Sequence, residues 1–202
     1  KSITDFSLVG NFNAKYEFNT GTSLKTNLLR VTGGTDELNH NLNKNMFSNY
    51  VPVRSVRYIQ NRYIEHPFFD YLIYAIERGG EYDGILIFRP TSHNDSRALR
   101  WVEYLGKSDR LYGIGPQLQS ILQSGNYEYV DIYNSGISVD TFEAAGMRYR
   151  GADSDIVIPD HYSPFEQKNI SIRYAYKVPD GVKPMIFNGH GDMDRPNGLD
   201  KE

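Results

Sequence analysis

Arg110-Leu111-Tyr112-Gly113-Ile114-Gly115 is the stretch whose residue types and spacing suggest phosphate chemistry. Two glycines let the backbone turn tightly and present N–H groups where a helix begins. That end of a helix carries partial positive charge and unsatisfied donors, so it suits an anion. Arg110 adds a planar, forked cation. The pattern is not a dinucleotide fingerprint, because Leu118 stands where the third glycine belongs, and it is not a Walker loop, because no Gly-Lys-Ser/Thr follows. Pro116 directly after it removes one donor. The competing reading is a glycine turn that merely starts a helix.

Three ionisable residues elsewhere are candidates for proton transfer. Asp131 interrupts the apolar pair Val130 and Ile132 in a stretch that reads as a strand, where aspartate is a poor former. Alternation puts it on one face with Tyr129 and Tyr133. It either faces a substrate amine, to orient it or take its proton, or is an edge residue or buried ion-pair partner. His66, before Pro67, has a side chain that titrates near neutrality and is a candidate base; Glu65 beside it is the alternative. The plain reading of His66 is a helix N-cap or packing residue. Near the C-terminus, Asp192, Asp194 and Arg195 form a polar cluster. Their spacing to Gly198 and the intervening Pro196 do not fit a calcium loop. Tyr58, Tyr63, Tyr71 and Tyr74 fall near helical spacing and read as core. No zinc spacing and no Gly-x-Ser-x-Gly nucleophile motif is visible.

The elements that must position these residues follow from periodicity and turn residues. Residues 15–19 and 24–32 read as strands around Gly21, and residues 39–49 are an Asn-rich loop or linker. Residues 1–48 form a β-rich appendage and linker too small to hold a core, leaving a main body at 49–202. Within that body, residues 54–65 predict a helix. A second helix begins at Pro67, buries Phe69, Leu72, Ile73 and Ile76 and stops at Gly79-Gly80. Strands are expected at 84–89 and 98–105, separated by a turn at 91–97. A helix at 116–124, a strand at 127–133 and a helix at 139–145 follow. Short strands at 147–150, 156–158 and 171–178 complete the set. The order implies an α/β or α+β fold, a mixed sheet covered by helices.

Composition limits the function. The chain has 202 residues, 22 Lys+Arg against 25 Asp+Glu, a net charge of −3, no Cys and 16 Tyr against 1 Trp. The acidic balance argues against a duplex-DNA binder that works by its overall field. The lack of cysteine excludes disulfide scaffolds and thiolate chemistry. No run of eighteen apolar residues is present to form a transmembrane helix.

The arrangement strand, R-x-x-G-x-G, helix, strand, helix resembles the acyl-CoA-binding half of the GNAT acyltransferase superfamily. Further pieces carry the likeness: Asn61-Arg62-Tyr63, Glu65-His66-Pro67, Tyr129-Val130-Asp131, Ile158-Pro159, Pro164-Phe165 and Gly191-Asp192-Met193-Asp194-Arg195-Pro196-Asn197. Together, over about residues 50–198, they resemble GNAT-like proteins of polysaccharide and lipopolysaccharide gene clusters, which often carry two such halves.

The resemblance implies a cytoplasmic N-acyltransferase that moves an acyl group from acyl-CoA to a nucleotide-linked amino sugar, with no metal and no nucleic acid. It implies CoA contacts at Arg110, Gly113, Ile114, Gly115 and Tyr104, and an oxyanion donor among the backbone N–H groups near 102–104. It implies substrate contacts at Asn61, Arg62, Tyr133, Asn134, Asp192, Asp194 and Arg195. Asp131, His66 or Glu65 would take the amine proton. A missing N-terminal half or a second copy of the chain would be the natural partner. The alternatives are a non-catalytic GNAT-like module and a tandem-GNAT aminoacyl transferase using charged tRNA, which the acidic balance disfavours.

Overall fold

A computed structural model describes residues 26–47, 51–93, 95–150, 157 and 173–191. The predictions for residues 1–25, most of 151–172 and 192–202 lie outside the described residues. These include Asp192, Asp194 and Arg195.

A five-stranded mixed sheet organises the chain in the order β1-β2-β3-β4-β5. It comprises β1 (Asn27–Arg30), β2 (Leu72–Arg78), β3 (Glu81–His93), β4 (Ser96–Gly106) and β5 (Val130–Ile132). The first four strands are antiparallel neighbours, and β5 runs parallel to β4. Gly79 and Gly80, at φ +62° and +88°, make the two-residue turn between β2 and β3, where Arg78 faces Glu81. Two successive positive φ angles match the right-handed twist of a tight hairpin, and glycine adopts them without a Cβ clash.

Helices cover both faces. On one side lie α1 (Gly34–Asn41) and the short α2 (Val56–Ile59), which continues as a π-helical turn (Gln60–Ile64). Leu38, Ile59 and Tyr63 pack there against Ile73, Ala75, Ile85, Ile87, Val102 and Leu105. On the other side lie α3 (Gly115–Gly125) and α4 (Val139–Ala144). Leu118, Ile121, Leu122 and Phe142 pack there against Leu86, Phe88, Leu99, Trp101 and Tyr104. The spacing 118, 121, 122 is one helical face, and Pro116 is tolerated in the first turn of α3 because its missing N–H would have no partner there.

In place of the helix expected from Pro67 to Gly79-Gly80, residues 67–71 have no regular structure and Leu72–Arg78 form a strand. Both faces of β2 are covered, so Ile73 and Ala75 enter one core and Ile76 the other. A strand buried on both sides shows no alternation, and its apolar positions mimic a helical stripe. The expected turn at 91–97 is shorter, with His93 paired to Ser96. The expected strand at 127–133 keeps only Val130–Ile132, and residues 147–150 and 173–178 have no regular structure. β1 pairs with β2 and Leu38 is fully buried, so the chain on either side of residue 48 shares one sheet and core.

Two irregularities shape the region around β4. Ile87 faces Glu103 and Phe88 faces Trp101, which leaves Val102 as the extra residue of a β-bulge. The parallel pairing of β4 with β5 runs only from Leu99↔Val130 to Trp101↔Ile132. Past that point β4 continues to Gly106, while the segment after β5 turns into β6 (Asn134–Ser135), which pairs with β7 (Ile186–Phe187). A 3-10 turn, Asn188–His190, follows β7 and packs against β4.

Candidate functional site

Glu103 is the centre of a polar cluster on the α1/α2 face of the sheet. The bulge at Val102 puts both Val102 and Glu103 opposite Ile87, on the side where α2 packs. Its carboxylate is fully buried and collects donors at both oxygens. Arg54 Nε donates to Oε1 at 2.7 Å and Tyr58 OH donates to Oε2 at 2.7 Å, while Tyr63 OH makes a short hydrogen bond to Oε2. Phe187 N–H donates to His190 Nδ1 at 3.3 Å, which leaves the ring proton on Nε2 to donate to Glu103 Oε1 at 2.7 Å. Arg54 Nη2 also lies 2.6 Å from that same nitrogen, so the guanidinium, the imidazole and the carboxylate meet at one point.

Burial alone would push the Glu103 pKa up. The hydrogen bond and electrostatic attraction from His190, the Arg54 charge and the Tyr63 bond outweigh it, and the carboxyl lies below its ordinary range. Burial, with the Glu103 charge, pushes the Tyr58 and Tyr63 hydroxyls up, so both stay protonated donors. With its lone pairs taken, Glu103 is a structural anchor that ties α2 and the 188–190 turn to the sheet.

That turn sits where β4 and β5 part. With its amide oriented to donate, Asn188 Nδ2 lies 3.2 Å from the carbonyl oxygens of both Trp101 and Val102. Its backbone N–H donates to the Tyr133 carbonyl at 3.3 Å. Gly189 has no room for a side chain, since a Cβ there would lie 2.7 Å from Val102 O and 2.8 Å from Tyr63 OH.

A second ionic centre lies on the same face. Arg100 stands opposite both Arg89 on β3 and Asp131 on β5, and Arg100 Nη2 donates to Asp131 Oδ2 at 3.1 Å. Asp131 is 4% exposed, and its Oδ1 has no hydrogen-bond partner among the described residues; the same holds for the buried Tyr129 OH. Burial raises the Asp131 pKa, and the Arg100 charge and hydrogen bond only partly offset it. Tyr129 is pushed up by burial and by the Asp131 charge. Arg89 lies 4.5 Å over the Phe69 ring, and Arg100 lies 5.9 Å from the Tyr133 ring centre.

The other residues singled out from the sequence are placed as follows. His66 Nδ1 accepts the N–H groups of Phe68 and Phe69 at 3.2 and 3.1 Å, and the ring stacks on Phe69, as a local capping and packing residue does. Glu65 is exposed and accepts from Gln60 Nε2 at 2.6 Å. Tyr104 is buried and donates to the Lys107 carbonyl at 2.7 Å. Asn134 Oδ1 accepts from Ile137 N–H at 3.3 Å. Asn61 is exposed, and Arg62 Nη2 donates to the Gly189 carbonyl at 2.9 Å.

The glycine loop turns inward. Gly113, at φ +77°, donates its N–H to the Ala144 carbonyl at 3.1 Å, and the Ile114 N–H donates to Leu111 O at 3.4 Å. Gly115 opens α3 and is buried. Arg110 pairs with Asp83 through Nε and with Asp109 through Nη1 at 3.0 Å. In this conformation the loop is a well-bonded turn with few donors left for a pyrophosphate.

The structure therefore brings Asp131 together with Arg100, Arg89, Tyr129 and Tyr133, and leaves His66 and Glu65 in local roles. Sequence reasoning passed over Glu103, Arg54, Arg100 and His190. The available signal was two charges, Arg100 and Glu103, inside the otherwise apolar run Ala98 to Leu105, since such side chains are rarely buried unless paired. Compared with protein-family models the chain matches none, and it has no significant match among curated proteins.

Proposed function

We propose that the protein is an acyl-CoA-dependent N-acyltransferase whose acceptor is a nucleotide-linked amino sugar of surface-polysaccharide synthesis. The observation that carries this reading is Asp131: a fully enclosed carboxylate with a raised pKa and an unpartnered oxygen, on the strand that leaves the sheet beside β4. The order β4, loop, α3, parallel β5, α4 is also the order on which the resemblance to the acyltransferase superfamily rests.

The chemistry needs little from the protein beyond placement and one base. The acceptor amine attacks the thioester carbonyl, the N–C bond forms and the C–S bond breaks. Asp131 takes the proton lost by the amine and returns it to the departing thiolate, so atoms and charge balance. A carboxylate whose pKa is raised is a better base than an ordinary aspartate, and holding both reactants together supplies much of the rate. Arg100 holds Asp131 Oδ2 and leaves the buried, unpartnered Oδ1 as the oxygen that would take the proton.

A second reading, a non-catalytic sugar-nucleotide-binding module, is favoured by one specific observation: the Gly113 and Ile114 donors and the Arg110 cation already have partners within the chain. Thiol release from acetyl-CoA and longer acyl-CoAs, with amino-sugar nucleotides as acceptors, separates the two. The transferase reading expects acceptor-dependent release that falls at least a hundredfold in Asp131→Asn. No release with any pair, or equal release by the variant, removes Asp131 from the chemistry.

A further inference from the structure

We infer that the outer side of α2 and its π-helical turn is an anion-binding cleft that takes the diphosphate of the acceptor. A cleft of about 440 Å³ opens there, lined by Ser55, Arg57, Tyr58, Asn61 and Arg62. It is open to solvent rather than enclosed. The π turn creates the arrangement: the Glu65 N–H reaches back to Gln60 O at 2.9 Å, and the widened turn sends Tyr63 inward to Glu103 while Asn61 stays outside.

Apart from Tyr58, whose hydroxyl hydrogen goes to Glu103, every polar side chain lining the cleft has a hydrogen to donate, and none is a carboxylate. Arg57 is exposed and makes no ion pair with a described residue. Arg62 holds the Gly189 carbonyl through Nη2, and its remaining N–H groups make no bond to a described residue. Asn61 contributes an amide, and Ser55, whose Oγ accepts the Tyr58 N–H at 3.1 Å, keeps its hydroxyl hydrogen to give. The neighbouring Glu65 is turned to Gln60 instead. Two guanidinium forks on one cleft match a diphosphate, whose charges and acceptor oxygens are spaced along a chain. The local excess of positive charge stands out in a chain of net charge −3. The cleft is also wired to the buried cluster: Tyr58 donates to Glu103, and Arg62 holds the turn packed against β4.

This assignment rests on the transferase reading only in naming the ligand an acceptor, because coenzyme A carries phosphates as well. Calorimetric titration of the whole chain with uridine diphosphate, inorganic pyrophosphate and coenzyme A separates the sources. Wild type should bind uridine diphosphate and pyrophosphate. Arg57→Gln should weaken both about tenfold, the loss of one charge-assisted contact. The coenzyme A affinity and the melting temperature should stay unchanged. Lys44→Gln, which removes the same charge from another exposed position, should change nothing. No binding of either anion at millimolar concentration, or equal binding by Arg57→Gln, overturns the proposal. Weakening of coenzyme A alone overturns the acceptor assignment and gives the cleft to the acyl donor. Binding of uridine diphosphate with no binding of coenzyme A upholds the cleft and removes the transferase reading.

Discussion

Replacing Glu103 by glutamine tests whether one buried carboxylate holds two parts of the molecule to the sheet. The amide keeps the volume and removes the charge. Arg54, 8% exposed, is left without its counter-ion, and the amide NH2 faces donors on whichever side it points. Breaking a buried ion pair by removing one partner costs about 3–5 kcal/mol. In a chain of this size each kcal/mol moves the melting temperature by about 2–4 °C, so Glu103→Gln should melt about 6–20 °C lower. Trp101 is the assay's natural reporter. It is the single tryptophan, it is fully buried, and its Nε1–H donates to the Glu103 backbone carbonyl at 3.0 Å. Its fluorescence followed through heat and urea should show a lower midpoint with an unchanged urea slope. Because the Glu103 pKa is lowered, its contribution is fully present above the ordinary carboxylate pKa and is lost as pH falls through the lowered value. The wild-type and variant curves should therefore converge in acid. Removing both charges, as Arg54→Met with Glu103→Leu, should recover part of the loss, the remainder being the Tyr58, Tyr63 and His190 donors left without their acceptor. A shift under about 2 °C in the single variant, or a double variant as unstable as the sum of the singles, would refute the anchoring role.

Three further outcomes follow from the same contacts. Gly189→Ala should destabilise by about 1–3 kcal/mol, since the new Cβ meets the Val102 carbonyl and the Tyr63 hydroxyl inside normal contact distance; faster hydrogen exchange confined to residues 186–190 should accompany the lower midpoint. Asp131, whose pKa is raised by folding, contributes stability that is fully present below its unfolded pKa and is lost as pH rises through the raised value. Asp131→Asn should therefore remove that downward slope from pH-resolved urea titrations, and an unchanged slope would contradict the raised pKa. Asp83→Asn frees Arg110 Nε from its partner and should tighten coenzyme A binding several-fold if the 110–115 loop meets its phosphates; unchanged affinity removes the loop from the donor site.

The elements set by local chemistry were readable in the sequence. Pro116, the face made by Leu118, Ile121 and Leu122, and the turn residues near 125 place α3 within a residue of its observed bounds. The mixed sheet covered by helices was readable from the alternation of elements. β2 was not, because a strand covered on both faces carries no polar side to betray its period. Asp131 was found by its oddity between Val130 and Ile132. Its partner Arg100, and the Glu103 cluster, were not found, because their meaning depends on contacts made 31, 49 and 87 residues apart in the chain. The glycine loop shows the opposite limit: its sequence allowed a phosphate cradle, and only the tertiary partners Ala144 and Asp83 show where its donors go.

The measurement that bears most directly on the transferase account is a thermal titration of the chain with coenzyme A, acetyl-CoA and a longer acyl-CoA, read by Trp101 fluorescence. A ligand that binds only the native state raises the melting temperature by mass action, by about 2.7 kcal/mol at a hundred times its Kd. The account predicts a dose-dependent rise of about 5–10 °C at that concentration for at least one acyl-CoA. A cooperative melt that does not move with any of the three would contradict it.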